Sequence, residues 1–341
     1  MPRKFLLCCL VVLLVFSLVS LSILVNLSST SFASNMTENS GVRNGKENYQ
    51  NNQMEPVADA VETKNTNKSM EPVVDHAETY QNKAISTETD DVGSYGDISI
   101  SIVTPSIARE CDYVHVLAAS LLSSINPIYA GTVVKQWTLV NAEDQITPNS
   151  GLDSIQTTYS KLFDQDGWWK IHPAPDHGDL LSGDLKQLYE DSKERTYWRV
   201  KECYDYAACI RFSLEEVPDA THIIVIEDDA LVSYGWVETV LEKIQNSEIV
   251  ASSLFSVGTQ SKATGTVAIL YSAEFARNLA QYMMENCEDA PVDWLLNRFL
   301  AQKHKKMQVF QPNLVQHIGI KSSLAGKVQV LTSGTFGWGK P

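Results

Sequence analysis

Basic side chains are in short supply in this 341-residue chain: 27 Lys and Arg stand against 41 Asp and Glu, a formal charge of -14. Duplex nucleic acid presents about one phosphate charge per 1.7 Å of axis, so an anionic surface excludes it as a partner except through a local basic groove. Cysteine is scarce too. Six in the whole chain are too few for a small disulfide scaffold, and with no C-x-x-C pair there is no structural-zinc signature. Internal repetition stops at two copies: Gln53-Met-Glu-Pro-Val-Ala-Asp-Ala-Val-Glu-Thr63 returns as Ser69-Met-Glu-Pro-Val-Val-Asp-His-Ala-Glu-Thr79. A solenoid needs at least about three units to bury a core, so this is duplicated linker. What the chain does have is apolar mass. At 44% hydrophobic it can fill the core of one large domain or two ordinary ones.

Only one long apolar run stands out, Phe5 to Val25, behind Arg3 and Lys4 and relieved only by Cys and Ser. At 1.5 Å rise per residue its roughly 21 residues reach about 30 Å, one hydrocarbon core. A cleaved signal peptide competes, with small residues at Ser31-Phe32-Ala33, but signal h-regions run about 7 to 15 residues. We read 5–27 as an uncleaved signal anchor and 1–4 as a cytosolic tail. The positive-inside rule then makes this a single-pass type II chain with everything after Leu27 in a lumen. Cys8 and Cys9 read as membrane filler or as palmitoylation sites. Residues 28–96 are poor in aromatics and carry 11 acidic against 5 basic side chains. Such a segment cannot offset its ordering entropy by burial and reads as a flexible stem, with glycosylation acceptors at Asn35-Met-Thr and Asn67-Lys-Ser. In an oxidising lumen Cys111, Cys203, Cys209 and Cys287 could form up to two disulfides, in any of three connectivities.

The region 97–341 reads as a single α/β domain. Ile98 to Val103 alternates like a strand and is expected to stop at Thr104-Pro105. Arg109 to Ile125 has a helical apolar face, and Val133 to Val140 is a second strand, so the domain opens as β-α-β. Such units build parallel sheets whose sites lie at strand C-terminal ends. Trp168-Trp169 is expected to pack on the sheet rather than stack on a sugar. Glu194 to Leu214 reads as a helix on which Lys201 and Asp205 can pair at i, i+4.

Thr221 to Ile226 is a buried-strand run that ends abruptly in Glu227-Asp228-Asp229. Repulsion and desolvation would raise the pKa values of such acids unless a cation intervenes, and a hard divalent ion bridging to phosphate oxygens resolves the conflict. Solvated acids in a loop are the alternative. Asp293, in Pro291-Val-Asp-Trp-Leu-Leu296, reads locally as a helix-capping residue. His317, in Gln316-His-Ile-Gly319, reads as either a satisfied interior histidine or a metal ligand.

Taken in order, Thr104-Pro105 with Arg109, Asp191-Ser-Lys-Glu-Arg195, Trp198-Arg199 with Lys201, Asp205-Tyr206, Glu227-Asp-Asp229, Pro291-Val-Asp-Trp-Leu-Leu296 and Gln316-His-Ile-Gly319 through Lys327 resemble the N-acetylglucosaminyltransferase IV family. Its members are alpha-1,3-mannosyl-glycoprotein 4-beta-N-acetylglucosaminyltransferases of the Golgi. The resemblance covers about residues 98 to 332. It implies a GT-A type α/β fold with a mostly parallel sheet, and inverting transfer of GlcNAc from UDP-GlcNAc to a mannose of N-glycans, assisted by a divalent metal, usually Mn2+. By resemblance Thr104, Pro105 and Arg109 belong to a nucleotide loop, and Arg199, Lys201 and Asp205 join the donor site. Asp229 would be a direct metal ligand, Asp228 or Glu227 would face donor hydroxyls, and Asp293 would be the general base. His317 falls at a C-terminal metal-ligand position, Gly265 either keeps a close approach near the sugar or serves a simple turn, and Lys321 could face the diphosphate. Lys321 stands where the family usually has histidine, and Gly258 to Thr264 is longer than the family's loop. The family also carries a C-terminal lectin-like domain, and this sequence closes soon after Lys327.

Two other functions remain in view. One is GlcNAc or GalNAc transfer to another glycan, such as a lipid-anchor glycan, since fold and metal motif do not fix the acceptor. The other is a catalytically silent membrane lectin or regulator of glycosyltransferases. Loss of activity would typically erase the acids or the base, and Glu227, Asp228, Asp229, Asp293 and His317 are all present.

Overall fold

The computed structural model describes residues 95, 97–109, 111–143, 149–163, 167–258, 263, 265–320 and 330–337. The expected tail, anchor and nearly all of the stem lie outside the described residues, as do Lys321 and most of the stretch 258–264. Among the described residues no helix is long and apolar enough to cross a membrane.

The chain runs β1 (Ile100–Ser106), α1 (Tyr113–Ser124), β2 (Val134–Asn141), α2 (Ser150–Phe163), β3 (Trp169–His172), a 3-10 turn (Gly178–Leu181) and α3 (Lys193–Glu216). It continues through β4 (His222–Ile226), β5 (Ala230–Val232), α4 (Trp236–Asn246), β6 (Ala251–Ser253), β7 (Ala268–Ser272), α5 (Ala273–Asn286), α6 (Val292–Gln302), β8 (Gln308–Val309) and β9 (Val315–His317). Seven strands form one sheet in the order β3-β2-β1-β4-β7-β6-β8, and β5 pairs with β9 apart from it. The run β3-β2-β1-β4 is parallel, while β7 lies antiparallel to both β4 and β6. This mixed α/β architecture with a mostly parallel centre fits the GT-A-like expectation.

Period-two alternation explains why the sheet is covered on both faces. Ile100 and Ile102 of β1 and Ile224 and Ile226 of β4 join one apolar cluster with Leu117 and Leu121 of α1 and Trp236 and Val240 of α4. Val103, Ile223 and Val225 join the other, with Ile210 of α3, Leu279 of α5 and Leu295 of α6. Each such side chain, fully buried, contributes about 1.5 to 3 kcal/mol. Trp168 is buried and its indole donates to the Val134 carbonyl at 2.9 Å, so it packs on the sheet as expected.

The topology also places a site. The chain steps outward from β1 to β2 and β3, then crosses back to lay β4 on the other side of β1. In a parallel α/β sheet the loops after the two strands flanking such a reversal diverge, opening a crevice at their C-terminal ends. Here those loops begin at Ile107 and Glu227.

Two local expectations need correction. β1 does not stop before Pro105: it runs to Ser106, with Pro105 opposite Val140 and Ser106 opposite Asn141 of β2. Proline is tolerated because β4 pairing ends at Val103, so no ladder on that side needs its missing N–H. The first helix begins at Tyr113 rather than Arg109, because Arg109 is drawn into the preceding loop by acids described below. The cysteines stay within the expected limit of two disulfides: Cys203 is bridged to Cys287, while Cys111 is exposed and Cys209 is buried as a free thiol.

Candidate active site

The strand-end acids sit where a buried run can no longer stay buried. After Ile226 the Glu227 N–H still donates to the Val267 carbonyl at 2.8 Å, and then the chain turns into β5. β5 pairs antiparallel with β9 in a register that puts Ala230 opposite His317. That pairing brings the His317 imidazole to the acids: its Nε2 lies 3.5 Å from Asp229 Oδ2. The Ile318 N–H donates to the Asp229 carbonyl at 2.8 Å. The next residue must be glycine, since a Cβ on Gly319 would collide with the Asp229 carboxylate.

Arg109 supplies the charge that these acids need. Its guanidinium reaches Asp228 Oδ1 at 2.9 Å and Asp229 Oδ2 at 3.1 Å, and the Ile107 N–H donates to Asp228 Oδ2 at 3.1 Å. The compensation is partial. Burial, with the Asp229 and Glu202 charges, pushes the Glu227 carboxyl up to about 8 despite His317 and a hydrogen bond from the Thr266 hydroxyl. Burial also lifts Asp228 to about 6 against the pull of Arg109. Asp229 would rise for the same reason, but its hydrogen bond with His317 and the Arg109 charge hold it below the usual value. Burial would lower His317, yet Asp229 and Glu227 carry it upward.

These side chains form a donor set suited to a divalent ion. One ligand atom each from Glu227, Asp229 and His317 lies within 4.8 Å of the others. Among the described residues Asp229 Oδ1 and His317 Nδ1 are buried with no hydrogen-bond partner, a costly condition that a bound cation or ligand would relieve. Two carboxylates and an imidazole suit manganese and similar ions.

The facing wall of the cleft, about 330 Å3 in volume, comes from α3 and the start of α6. On α3, spacing of 198, 201, 202 and 205 turns Trp198, Lys201, Glu202 and Asp205 to the cleft. The buried Lys201 ammonium donates to Asp205 Oδ2 at 2.7 Å and to the Ala142 carbonyl at 2.5 Å. Asp205 Oδ1 meets His177 Nε2 at 2.7 Å. Glu202 has no such partner. Its side chain is open to the cleft, but protein encloses the rest of it, and this enclosure, with the Asp293 and Asp205 charges, pushes it up to about 7.

Asp293 lies in the first turn of α6 but does not cap it. Pro291 holds the cap position, and the Asp293 carboxylate accepts from the neighbouring Trp294 N–H at 3.0 Å. It is half-buried, lines the cleft, and is raised by that burial. Pro105 and Gly265 line the cleft as well, and Gly265 has φ of 60°, a left-handed conformation that glycine adopts without strain.

Two expected donor residues do not line the cleft. Thr104 is fully buried and its hydroxyl accepts from the Trp137 indole at 3.1 Å. Arg199, also buried, binds Asp191 Oδ2 at 3.2 Å and the Glu288 carbonyl at 3.2 Å, so its charge ties α3 to the connection between α5 and α6. Lys321 lies outside the described residues. Sequence reading overlooked Glu202, although its place on the face that holds Trp198 and Asp205 was a usable signal. It also passed over His177, whose distance from Asp205 in the chain gave none.

The fold and cleft together define a GT-A-like α/β protein with an acidic, metal-competent crevice at its strand ends. No family model matches the chain. Among curated proteins it is similar to alpha-1,3-mannosyl-glycoprotein 4-beta-N-acetylglucosaminyltransferase A of Bos taurus, 29% identical over 260 residues, which cover 70% of this chain and 46% of that protein. The Xenopus tropicalis protein of the same name is 28% identical over 179 residues, 48% of this chain and 32% of the relative. The B form of Danio rerio is 25% identical over 256 residues, 70% of this chain and 45% of the relative. The chain thus resembles this family of N-acetylglucosaminyltransferases and spans less than half the length of these relatives.

Proposed function

We propose that the chain is an inverting, metal-assisted glycosyltransferase that moves GlcNAc from UDP-GlcNAc to a mannose of N-glycans, forming the β1,4 branch on the α1,3 arm. It would do so in the Golgi lumen, anchored by the apolar run Phe5 to Val25. The observation that carries this reading is the meeting, in one crevice, of the Glu227-Asp228-Asp229 and His317 group with Asp293 on the facing wall. The names of the similar proteins point to the transferred N-acetylglucosaminyl group and a mannosyl-glycoprotein acceptor.

Asp229 and His317, with Glu227 beside them, would hold a divalent ion, with Mn2+ suited by donor type. When bound, that ion neutralises charge developing on the UDP diphosphate. Arg109 holds Asp228 and Asp229 in place and brings a permanent positive charge to the same edge. Pro105 and Gly265 shape the donor wall, and Lys201 and Asp205 build a rigid floor beneath it. The acceptor hydroxyl attacks the anomeric carbon as the bond to the UDP oxygen breaks, and Asp293 takes the hydroxyl proton. Partial burial makes this carboxylate a stronger base than one in water. One base and no covalent intermediate give inversion, and the diphosphate leaves without the acid partner a glycosidase needs.

The test is turnover by the purified full chain: UDP release from UDP-GlcNAc, and transfer to a panel of defined N-glycans, each with manganese and with chelator. Chelator-sensitive transfer to a mannose of an N-glycan is the expected result. Transfer solely to other glycans would move the reading to a different acceptor, and donor binding without any turnover would sink it.

A further inference from the structure

Two aromatic rings stand in solvent, one of them next in the chain to the cleft residue Asp293. Tyr189 is 46% exposed and Trp294 48%, and the rings meet edge to face, with centroids 5.2 Å apart and planes at 75°. Single exposed aromatics need no explanation, but a touching pair forms an apolar patch. The patch is also fixed in place. Tyr189 and its neighbour Glu190 both take left-handed φ values, 59° and 58°, which non-glycine residues seldom adopt. The Tyr189 hydroxyl donates to the Asp289 carbonyl at 2.7 Å and accepts from the Arg298 guanidinium at 3.3 Å. The Arg199 guanidinium lies 5.7 Å from the centre of the tyrosine ring.

Position gives the patch a ligand. The Asp289 to Asp293 connection that anchors Tyr189 also delivers Pro291, Val292 and Asp293 to the cleft wall. Trp294 follows Asp293 directly, and its N–H holds the Asp293 carboxylate. Trp294 and Arg298 are four residues apart on α6 and share a face. Asp293 and Trp294 are consecutive, with Cα atoms about 3.8 Å apart, so an acceptor with a hydroxyl at Asp293 has Trp294 within reach of its next ring.

We propose that Tyr189 and Trp294 form an acceptor subsite, an aromatic shelf that stacks the C–H face of the pyranose ring adjoining the one whose hydroxyl reaches Asp293. This rests on the reading of Asp293 as the acceptor-side base. The chemistry matches a neutral oligosaccharide: a pyranose offers one apolar face to a flat ring and hydroxyls at its rim to a donor such as Arg298.

The test uses the full chain, UDP-GlcNAc and two acceptors, an N-glycan oligosaccharide and methyl α-mannoside. Trp294→Ala and Tyr189→Ala are expected to raise KM for the oligosaccharide about three- to tenfold. KM for methyl mannoside and the rate of UDP-GlcNAc hydrolysis stay unchanged, and Trp294→Phe restores most of the loss. An oligosaccharide KM unmoved in both alanine variants overturns the shelf, and so does an equal loss on both acceptors. Saturation-transfer NMR with the oligosaccharide alone separates this proposal from the transferase reading. Binding that wild type shows and the alanine variants lose supports the shelf even if no transfer occurs, whereas no binding by wild type overturns it.

Discussion

The two walls of the cleft handle buried charge in opposite ways. On the α3 wall, Lys201 is matched by Asp205, which is matched in turn by His177, and the ammonium also donates to a carbonyl. On the strand-end wall, three acids share one guanidinium and one imidazole, with Asp229 Oδ1 and His317 Nδ1 left without partners among the described residues. A satisfied buried network is rigid and specifies one geometry, whereas unsatisfied polar atoms mark where a ligand completes the site. The contrast assigns scaffold to one wall and chemistry to the other, with Asp293 and Glu202 as the exceptions that face the chemistry from the scaffold side.

The sharpest way to break this contrast is Asp229→Ala. Turnover should fall roughly 10^4-fold, since the change removes a ligand from the ion that offsets leaving-group charge. The measurement is UDP release with manganese, and near-wild-type turnover would remove Asp229 from the metal site. Asp293→Asn comes next, with transfer lowered about 10^2- to 10^3-fold and UDP-GlcNAc affinity kept. Titration calorimetry with UDP-GlcNAc checks the second half of that statement.

On the scaffold wall the expected loss is in folding. Asp205→Ala strands a buried ammonium and removes the partner of His177, so stability should drop by about 3 to 5 kcal/mol, read from urea denaturation. A loss under about 1 kcal/mol would mean that the wall is not held together by this network. The smallest effect belongs to Glu202. Its carboxyl lies at about 7 in the fold against an ordinary 4.5, so between those values the folded chain keeps a proton that the unfolded chain releases. Stability contributed by that proton is present at low pH and declines as pH rises through this window. Glu202→Gln should flatten the decline and raise the melting temperature at pH 8 more than at pH 5, by an amount kept small by the cleft's water.

The central strands were legible because apolar runs and alternation are local properties: Ile98 to Val103 and Thr221 to Ile226 both become neighbouring parallel strands. The acid triplet was legible as a break in a buried run. The helix holding Lys201 and Asp205 was also legible, with its i, i+4 pair. Contacts between distant segments were not. The β5–β9 register that sets His317 against Asp229 leaves no local trace, and neither does the pull of Asp228 and Asp229 that keeps Arg109 out of α1. Arg199 shows the converse. Its helical position resembles that of Lys201, but one face of α3 meets the cleft and another meets Asp191, and a two-residue step along a helix is enough to change which.

The Cys203–Cys287 bridge joins the middle of α3 to the end of α5, a few residues before Asp293. It therefore works as a tie-bar across the proposed acceptor side: Glu202 beside one sulfur and Asp293 beyond the other are fastened to a common strut. With Asp293 as the proposed base, a reductant would be felt as slackness in proton removal before it was felt in affinity for the proposed donor.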